Sequence, residues 1–438
     1  MTHLLVVVPA YAPFIGGAQT FCRAMLRRLV TGGHRVTVLT SNARQVDDFW
    51  SPPPAIRDNL PRREEMDGAQ IIRLSLTYPR PAPWRFGILR RATHLFARLP
   101  LPGAWQQPML RHFAPSLPPL LGLQSELLPA VANADWLLIV DASWDGLFVA
   151  AAQAAFAQAK PVIVVPLIHT GNPAITSRFR MAHQIAIYRE AAAAIALSSP
   201  EKALLVEWGV AQARLHTLAM GVDPVETDEI RRNRAAVRQR HKLPERFVLF
   251  LGAATYDKGA FTLAQAVAEL ARQGEVIEVV CAGSQQHQLA VFLDIFPPNT
   301  RAILKERIHL LGEVDEPTKQ VLLAECVALA LPSRVDSFGI VLLEAWQQAK
   351  PVVAATVGGP ATLVTHEKNG LLVPFGNSAA LAAALQRLLT EPGLAPRLGG
   401  AGHQTVIDQY TWDNSYDAFS RIAADACRPS PGTTDERL

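Results

Sequence analysis

The sequence predicts an α/β protein with two doubly wound parallel-sheet domains. Apolar runs of strand length alternate with helical patterns almost throughout the chain, as expected when helices cover both faces of a parallel sheet. The 438 residues are too many for one ordinary domain. A strand-like segment gives way to charged residues at 220–234, MGVDPVETDEIRRNR, and we predict the domain boundary there. The expected domains are therefore 1–222 and 223–410.

Each predicted domain has its own series of strands. The strand-length runs of the first domain are 4–8, 35–39, 69–74, 136–140, 161–165 and 194–197. Those of the second domain are 247–251, 276–282, 307–310, 327–331 and 352–355. Residues 44–129 break the alternation, because they are rich in Pro, Arg and Trp and include PPP at 52–54. This stretch is too long for a plain connection, so we expect it to carry helices.

Charge is distributed unevenly along the chain. The net charge of +4 divides into +7 over residues 1–225 and −3 over residues 226–438. A basic first half suits an acidic partner or anionic lipid. No segment resembles a nucleic-acid-binding module, so we expect no nucleic-acid partner.

The cysteines and the N-terminus bear on the compartment. Four cysteines are scattered without the spacing of a metal site or a disulfide framework, which favours a reducing compartment. The N-terminal MTHLLVVVPAY lacks the basic region of a signal peptide. No run approaches the roughly 18 apolar residues of a membrane span. We therefore expect a cytoplasmic protein, with peripheral contact with the inner face of the membrane as an open alternative.

The segment 331–376 carries the most informative motif. Asp336 and Glu344 stand eight positions apart, and between them Gly339 can open a helix whose first N–H groups face a phosphate. Carboxylates placed there accept hydrogen bonds from neighbouring sugar hydroxyls, so the motif indicates sugar-nucleotide binding. An isolated pair of this spacing is usually an ordinary helix face, but the paired glycines 358–359 downstream favour the functional interpretation. The candidate binding residues here are Arg334, Asp336, Ser337, Phe338, Gly339, Ile340, Val341 and Glu344.

Two glycine corners and one histidine extend this candidate site. Gly16 and Gly17 precede a helix predicted near residue 18, where the backbone can approach a ligand, although a tight turn alone would look the same. Gly252 ends the strand at 247–251, and Lys258 stands just before the next helix. His169 follows the strand at 161–165, at the strand end where ligands of α/β proteins bind.

Taken together and in this order, these motifs resemble those of the retaining glycosyltransferases of family 4, which have the GT-B fold. The resemblance runs from about residue 4 to residue 376. It implies two Rossmann-like domains facing across a cleft, with a C-terminal helix at about 411–427 that returns to the first domain. The first domain would bind the acceptor, with helices of 44–129 shaping that site. The second would bind a nucleotide-diphosphate sugar, with a UDP sugar favoured over a GDP sugar.

The resemblance also implies roles for single residues. Lys258 would hold the diphosphate, with Arg334 as a candidate second cation, because Ala253 stands where the family has Arg. Asp336 replaces the usual Glu of the acidic motif. His169 would lie near the reacting sugar, and Val314 would meet the base with its backbone. No metal and no cofactor are expected, and the acceptor would be a glycan, a lipid-linked molecule or a small molecule.

Two other functions stay open. A GT-B epimerase or phosphorylase shares the fold. A catalytically weakened relative, in which Ala253 reflects lost activity, would bind a nucleotide sugar or a protein partner without turnover.

Residues 84–99, WRFGILRRATHLFARL, predict a helix with an apolar stripe. The stripe consists of Ile88, Leu89, Ala92, Leu95, Phe96 and Leu99. The basic residues mostly lie off it and are Arg85, Arg90, Arg91, His94 and Arg98. Two interpretations remain open: the stripe packs into the core of the first domain, or it rests on anionic lipid beside a membrane-embedded acceptor.

Overall fold

The structure, a computed structural model, describes residues 2–49, 60–77, 84–99, 101–114 and 117–428. The chain divides into two compact units. The first unit is formed by residues 1–168, 174–218 and 416–438, as far as they are described, and the second by His169–Pro173 and Ala219–Ser415. The PPP sequence at 52–54 and the side chains of Arg85 and Arg98 lie outside the described residues.

The first unit is built on a mostly parallel sheet. Its strands are β1 (His3–Val7), β2 (Arg35–Ser41), β3 (Arg63–Met66), β4 (Ala69–Leu76), β5 (Leu120–Leu121), β6 (Trp136–Val140), β7 (Val162–Val165), β8 (Ala193–Ala196) and β9 (Leu215–Thr217). In the described ranges the order is β3-β4-β2-β1-β6-β7-β8-β9, with β3 and β5 both antiparallel to β4. The six predicted strands of this half are confirmed within two residues at each end.

Helices accompany this sheet along the chain. They are α1 (Gly17–Thr31), α2 (Trp84–Arg98), α3 (Gly103–Phe113), α4 (Leu123–Asn133), α5 (Asp145–Ala157), α6 (Pro173–Thr176), α7 (Ala182–Glu190) and α8 (Ser199–Glu207). Strands β1, β6 and β7 are almost wholly apolar and buried, as is typical of a parallel sheet covered on both faces. Residues 44–129 do carry helices, as predicted, together with the hairpin of β3 and β4.

The second unit has a fully parallel sheet. Its strands are β10 (Val248–Leu251), β11 (Val279–Ala282), β12 (Ile308–Gly312), β13 (Ala328–Leu331), β14 (Val352–Ala355) and β15 (Leu371–Val373), in the order β12-β11-β10-β13-β14-β15. Its helices are α9 (Thr227–His241), α10 (Ala260–Arg272), α11 (Gln286–Leu293), α12 (Pro298–Arg307), α13 (Glu316–Glu325), α14 (Ile340–Gln347), α15 (Pro360–Leu363), α16 (Ser378–Thr390) and α17 (Leu394–Gln409). The central order, in which β10 lies between β11 and β13, is that of a doubly wound fold.

The last helix, α18 (Trp412–Ala426), returns to the first unit. Phe419 on this helix is fully buried, and its ring lies 6.3 Å from that of Trp136 on β6. Burial of a large aromatic ring is a major source of packing energy, so this contact fixes the helix to the first sheet. The predicted return of the C-terminal helix is confirmed.

The helix predicted at 84–99 is confirmed as α2, but its core-facing interpretation is wrong. The residues that α2 buries are Phe86, Arg90 and Thr93. In contrast, Ile88, Leu89, Leu95 and Leu99 of the predicted stripe are exposed. Arg90 is held inside by Trp144, whose ring lies 4.2 Å from the guanidinium carbon, and it donates a hydrogen bond to the carbonyl of Ser143. The inward side of α2 therefore includes a cation–π contact as well as the buried Phe86 and Thr93.

Candidate active site

Two loops of the second unit meet at the carboxyl ends of adjacent strands. One follows β10 and leads to α10; the other follows β13 and leads to α14. Gly259 has φ +86°, and a Cβ atom on it would overlap the carbonyl of Pro332 in the other loop. The backbone N–H of Arg334 donates to the carbonyl of Asp257 at 3.0 Å. The two loops are thus held together where α/β proteins bind ligands.

Ion pairs connect these two loops. Lys258 Nζ lies 2.8 Å from Asp336 Oδ1, and Arg334 lies 2.7 Å from Asp257 Oδ1. The side chains of Lys258 and Asp336 are 24% and 21% exposed, so water and ligands can reach both. Such an arrangement offers a cation to a phosphate and a carboxylate to a hydroxyl within a few ångströms.

Aromatic rings hold the Arg334 side chain in addition to its ion pair with Asp257. Its guanidinium carbon lies 4.6 Å from the ring centre of Phe375 and 5.3 Å from that of Tyr256. A guanidinium stacked on aromatic rings loses rotational freedom and keeps its direction. Arg334, the predicted second cation, therefore lies on the same loop as Asp336. Its ion-pair partner, Asp257, directly precedes Lys258 in the sequence.

Glu344 lies inside α14 and pairs with Lys319 of α13 at 2.8 Å. Lys319 also contacts Glu316 at 2.8 Å. Burial by itself lowers the pKa of Lys319, but the two carboxylates outweigh it and leave that pKa above its ordinary value. Lys319 is therefore a permanent cation that holds Glu344 in place. The sequence interpretation missed it, although its position three residues after Glu316 on one helix face was a signal.

The beginning of α14 presents backbone donors. Gly339 has φ +97° and directly precedes α14. The N–H groups of Ile340 and Val341 lie in the first turn, where they have no partner within the helix and point out of its N-terminal end. Asp336 is anchored here because its carbonyl accepts a hydrogen bond from the N–H of Gly359 at 2.9 Å. Free N–H groups at the start of a helix are suited to binding an anion.

The remaining predicted residues of this unit lie nearby in sequence or on neighbouring strand ends. Ser337 is half-buried, whereas Phe338 is buried with its ring 6.2 Å from that of Tyr410. Gly252 directly follows β10, and its N–H donates to the carbonyl of Ala282 on the adjacent β11. Val314 is half-buried in the loop between β12 and α13.

His169 belongs to a short segment that packs in the second unit. Although His169–Pro173 follows β7 of the first sheet, it is grouped with the second unit. A Cβ atom on Gly171 would overlap the carbonyl of Arg334, and Asn172 Nδ2 lies 3.5 Å from Asp257 Oδ1. Sequence reasoning selected His169 but missed Asp257 and this close approach, because only the fold brings the segments together.

In the first unit, Gly16 and Gly17 stand at the start of α1, as predicted. Gly16 has extended backbone, φ 178°, and its carbonyl accepts the N–H of Thr20 at 3.0 Å. A Cβ atom on Gly17 would contact nothing within 4 Å, so open space lies beside this backbone.

A buried carboxylate supports the end of β7. Glu201 of α8 is 0% exposed, and it accepts hydrogen bonds from the N–H groups of Ile168 at 2.8 Å and Leu197 at 2.7 Å. Burial raises its pKa to about 7, against the lowering effect of those N–H groups and of the N–H of Leu167. Glu201 therefore fixes the backbone just before His169.

The described part of the chain lacks a metal-binding cluster and a membrane-spanning helix. There, no group of three or more His, Cys, Asp and Glu side chains is arranged to hold a metal ion. Within the same ranges, no helix combines the length and apolarity needed to cross a bilayer.

The fold and the site are those of a two-unit α/β protein whose charged loops lie at strand ends. Comparison with known families identifies it further. Residues 15–226 match the model of Glycosyltransferase Family 4, and residues 232–405 match that of Glycosyl transferases group 1. The chain therefore belongs to the family 4 glycosyltransferases of group 1, as the sequence motifs indicate.

Curated relatives share about half of their length with the chain. A D-inositol 3-phosphate glycosyltransferase of Xylanimonas cellulosilytica is 31% identical over 248 residues, which cover 54% of this chain and 58% of that protein. The alpha-D-kanosaminyltransferase of Streptomyces kanamyceticus is 29% identical over 215 residues, 48% of this chain and 54% of that protein.

Solved structures show the same fold. Sucrose-phosphate synthase from Thermosynechococcus elongatus superposes with a TM-score of 0.69 at 19% identity, over 97% of this chain and 98% of that one. Anabaena HepE in complex with UDP and glucose gives 0.68 at 18% identity, over 97% and 100%. The predicted GT-B fold class is confirmed.

Proposed function

We propose that the chain is a retaining glycosyltransferase that moves a hexosyl group from a nucleotide-diphosphate sugar to an acceptor hydroxyl. The observation that carries this proposal is the Lys258–Asp336 pair just before the N-terminal end of α14. It brings a cation for the diphosphate and a carboxylate for the sugar to one strand end. The names of the two relatives given above, both sugar transferases, support the same reaction class.

Lys258, Arg334 and the N–H groups of Ile340 and Val341 would bind the diphosphate. Breaking the bond between the anomeric carbon and the phosphate oxygen puts charge on the leaving group, and fixed cations and dipoles stabilise it there. These groups would do so without a metal or another cofactor. UDP is the favoured nucleotide, and the HepE complexes with UDP and UDP-glucose support that choice.

Asp336 and Glu344 would accept hydrogen bonds from donor hydroxyls, and Val314 would meet the base. His169 would lie near the reacting carbon, held by the Glu201-supported backbone before it. The acceptor oxygen would bond to the anomeric carbon on the face that the diphosphate leaves, through an oxocarbenium-like transition state. We assign no enzyme nucleophile. A glycan, a lipid-linked molecule and a small molecule remain the acceptor classes, bound by the first domain, residues 1–222, and the protein would act in the cytoplasm.

A donor panel tests the proposal. Release of nucleoside diphosphate is measured with several UDP and GDP sugars, with and without a chelator. Turnover of at least one UDP sugar that survives chelation supports it. Tight donor binding without release would support the weakened, binding-only relative, which Ala253 motivates. Phosphate-dependent release of a sugar phosphate, or an epimerised donor, would instead indicate a phosphorylase or an epimerase.

Substitutions of the two members of the Lys258–Asp336 ion pair should affect UDP affinity differently. Lys258→Ala removes the phosphate cation and leaves Asp336 unpaired, so UDP affinity should fall by about tenfold or more. Asp336→Asn removes a negative charge beside the phosphate site, so turnover should fall while UDP affinity holds or rises. Lys305→Ala is the matched control, because Lys305 forms an exposed pair with Asp294 at 2.7 Å. Unchanged UDP affinity in Lys258→Ala contradicts the assignment.

A further inference from the structure

Exposed apolar side chains are concentrated on two helices of the first unit. We call the surface formed by α2, α3 and the connection between them the α2–α3 surface; its large exposed members are Ile88, Leu89, Leu95, Leu99, Leu101, Trp105, Met109 and Phe113. Leu95 is 65% exposed and Trp105 is 77% exposed. Monomeric proteins rarely show many large apolar side chains together in water, and such patches usually mark an interaction site.

The two helices are firmly attached, so the exposure does not reflect a detached segment. The α2 helix buries Phe86 and Arg90, and α3 buries Leu110. The helices are joined by Gln106 Nε2, which donates to the carbonyl of Phe96 at 2.7 Å and to that of Leu99 at 3.2 Å. Because their inward faces are already satisfied, the apolar side chains outside are available to a partner.

The positive charge of residues 77–125 indicates an anionic partner for the α2–α3 surface. Residues 77–125 contain six arginines and neither Asp nor Glu. Arg91 is exposed and Arg111 is half-buried, whereas Arg90 is turned inward. Pairing two copies through this surface would bring like charges together with no acidic residue of the segment to offset them. Exposed Leu, Trp and Met among arginines fit a surface that is both anionic and apolar just beneath.

We propose that the α2–α3 surface docks on an anionic lipid bilayer, with its apolar side chains in the headgroup region and the exposed Arg91 at the lipid phosphates. The helices would lie on the bilayer and would not cross it. This deepens the proposed function and rests on it in one respect: the acceptor would be a molecule carried at the membrane, not a freely diffusing one.

Liposome co-sedimentation tests the docking directly. Wild-type protein is mixed at low salt with vesicles of phosphatidylcholine containing phosphatidylglycerol, and with vesicles of phosphatidylcholine alone. Binding should require the anionic lipid and weaken by about tenfold when salt shortens the range of electrostatic attraction. Leu95→Ser/Trp105→Ser should abolish most of the binding, and Arg91→Glu should weaken it and reduce its dependence on salt.

Matched controls lie on the second unit. Val291 and Ile295 are exposed apolar residues there, and Arg231 is an exposed arginine, so Val291→Ser/Ile295→Ser and Arg231→Glu should bind vesicles like wild type. Circular dichroism checks that every variant is folded. Arg90 is unsuitable for this test, because its substitution would disturb packing.

The outcomes separate docking from catalysis. Wild-type protein that stays in the supernatant with anionic vesicles overturns the proposal, whatever the donor assay gives. Equal sedimentation of Leu95→Ser/Trp105→Ser and wild type places the contact elsewhere and also overturns it. A concentration-dependent dimer that this double variant abolishes, without vesicle binding, assigns the surface to self-association. Donor turnover of the wild type without added acceptor is measured separately from vesicle binding, so failure of the docking and failure of the reaction can be told apart.

Discussion

Glu201→Gln replaces a buried carboxylate, expected to titrate near neutral pH, with an amide that does not titrate. The pKa of Glu201 rises from 4.5 to about 7 on folding. A difference of about 2.5 in pKa corresponds to on the order of 3 kcal/mol of unfolding free energy. Because the folded pKa is the higher one, this stabilisation is fully present below pH 4.5 and is lost as the pH rises through about 7.

The difference in unfolding free energy between Glu201→Gln and wild type should change with pH. The lost hydrogen bonds to Ile168 and Leu197 lower the stability of the variant by an amount that hardly depends on pH. Between pH 5 and 8, however, the unfolding free energy of wild type should fall by on the order of 3 kcal/mol relative to that of Glu201→Gln. Urea unfolding followed by tryptophan fluorescence measures both proteins across this range.

The control is Glu207→Gln, which changes an exposed carboxylate of the same helix, α8. Its difference from wild type in unfolding free energy should be flat with pH, because the exposed side chain of Glu207 loses little contact with water on folding. A flat difference for Glu201→Gln as well would refute the reasoning, since it would mean that the carboxylate stays ionised throughout. Donor turnover that falls on acidification in wild type but not in the variant would further link Glu201 to the position of His169.

Three further substitutions test the remaining contacts. Glu344→Ala should abolish most donor turnover while the melting temperature stays within a few degrees, because Lys319 keeps a second carboxylate; loss of soluble protein would instead assign Glu344 a structural role. Ala253→Arg should raise affinity for UDP in calorimetry if this position faces the diphosphate, and Ala253→Gln, of similar length without the charge, should not. Arg90→Ala should lower the unfolding free energy by about 1 to 2 kcal/mol through loss of the Trp144 contact, measured by urea unfolding; an unchanged midpoint would contradict that role.

Sequence patterns predicted the central strands because those strands are buried on both faces. The run at 136–140 is β6 to the residue, and 352–355 is β14. In contrast, β3 (Arg63–Met66) was missed, because its sequence REEM is polar and it lies at the edge of the sheet. A strand stabilised mainly by backbone pairing with one neighbour leaves little hydrophobic pattern to detect.

The candidate site was predicted by residue type but not by partner. Lys258 and Asp336 were both selected from local motifs, yet nothing in either motif shows that they pair, since their loops meet only through the order of β10 and β13. Helix α2 shows the same limit. Its apolar stripe predicted the helix but left open whether the stripe faces the core or lipid, and Arg90 is buried against Trp144, far along the chain, while most of the stripe is exposed.

A chimera that exchanges the second unit between two family members has to carry two pieces of chain. The chain passes between the units at 168–169, 173–174, 218–219 and 415–416. A graft of residues 219–415 alone would leave Gly171 and Asn172 from the recipient against a foreign Arg334 and Asp257. Gly171 has no room for a side chain beside the backbone of Arg334, so even a modest change in the loop of the grafted unit would produce a steric clash. The short segment His169–Pro173 should therefore be inherited together with the loops that it touches.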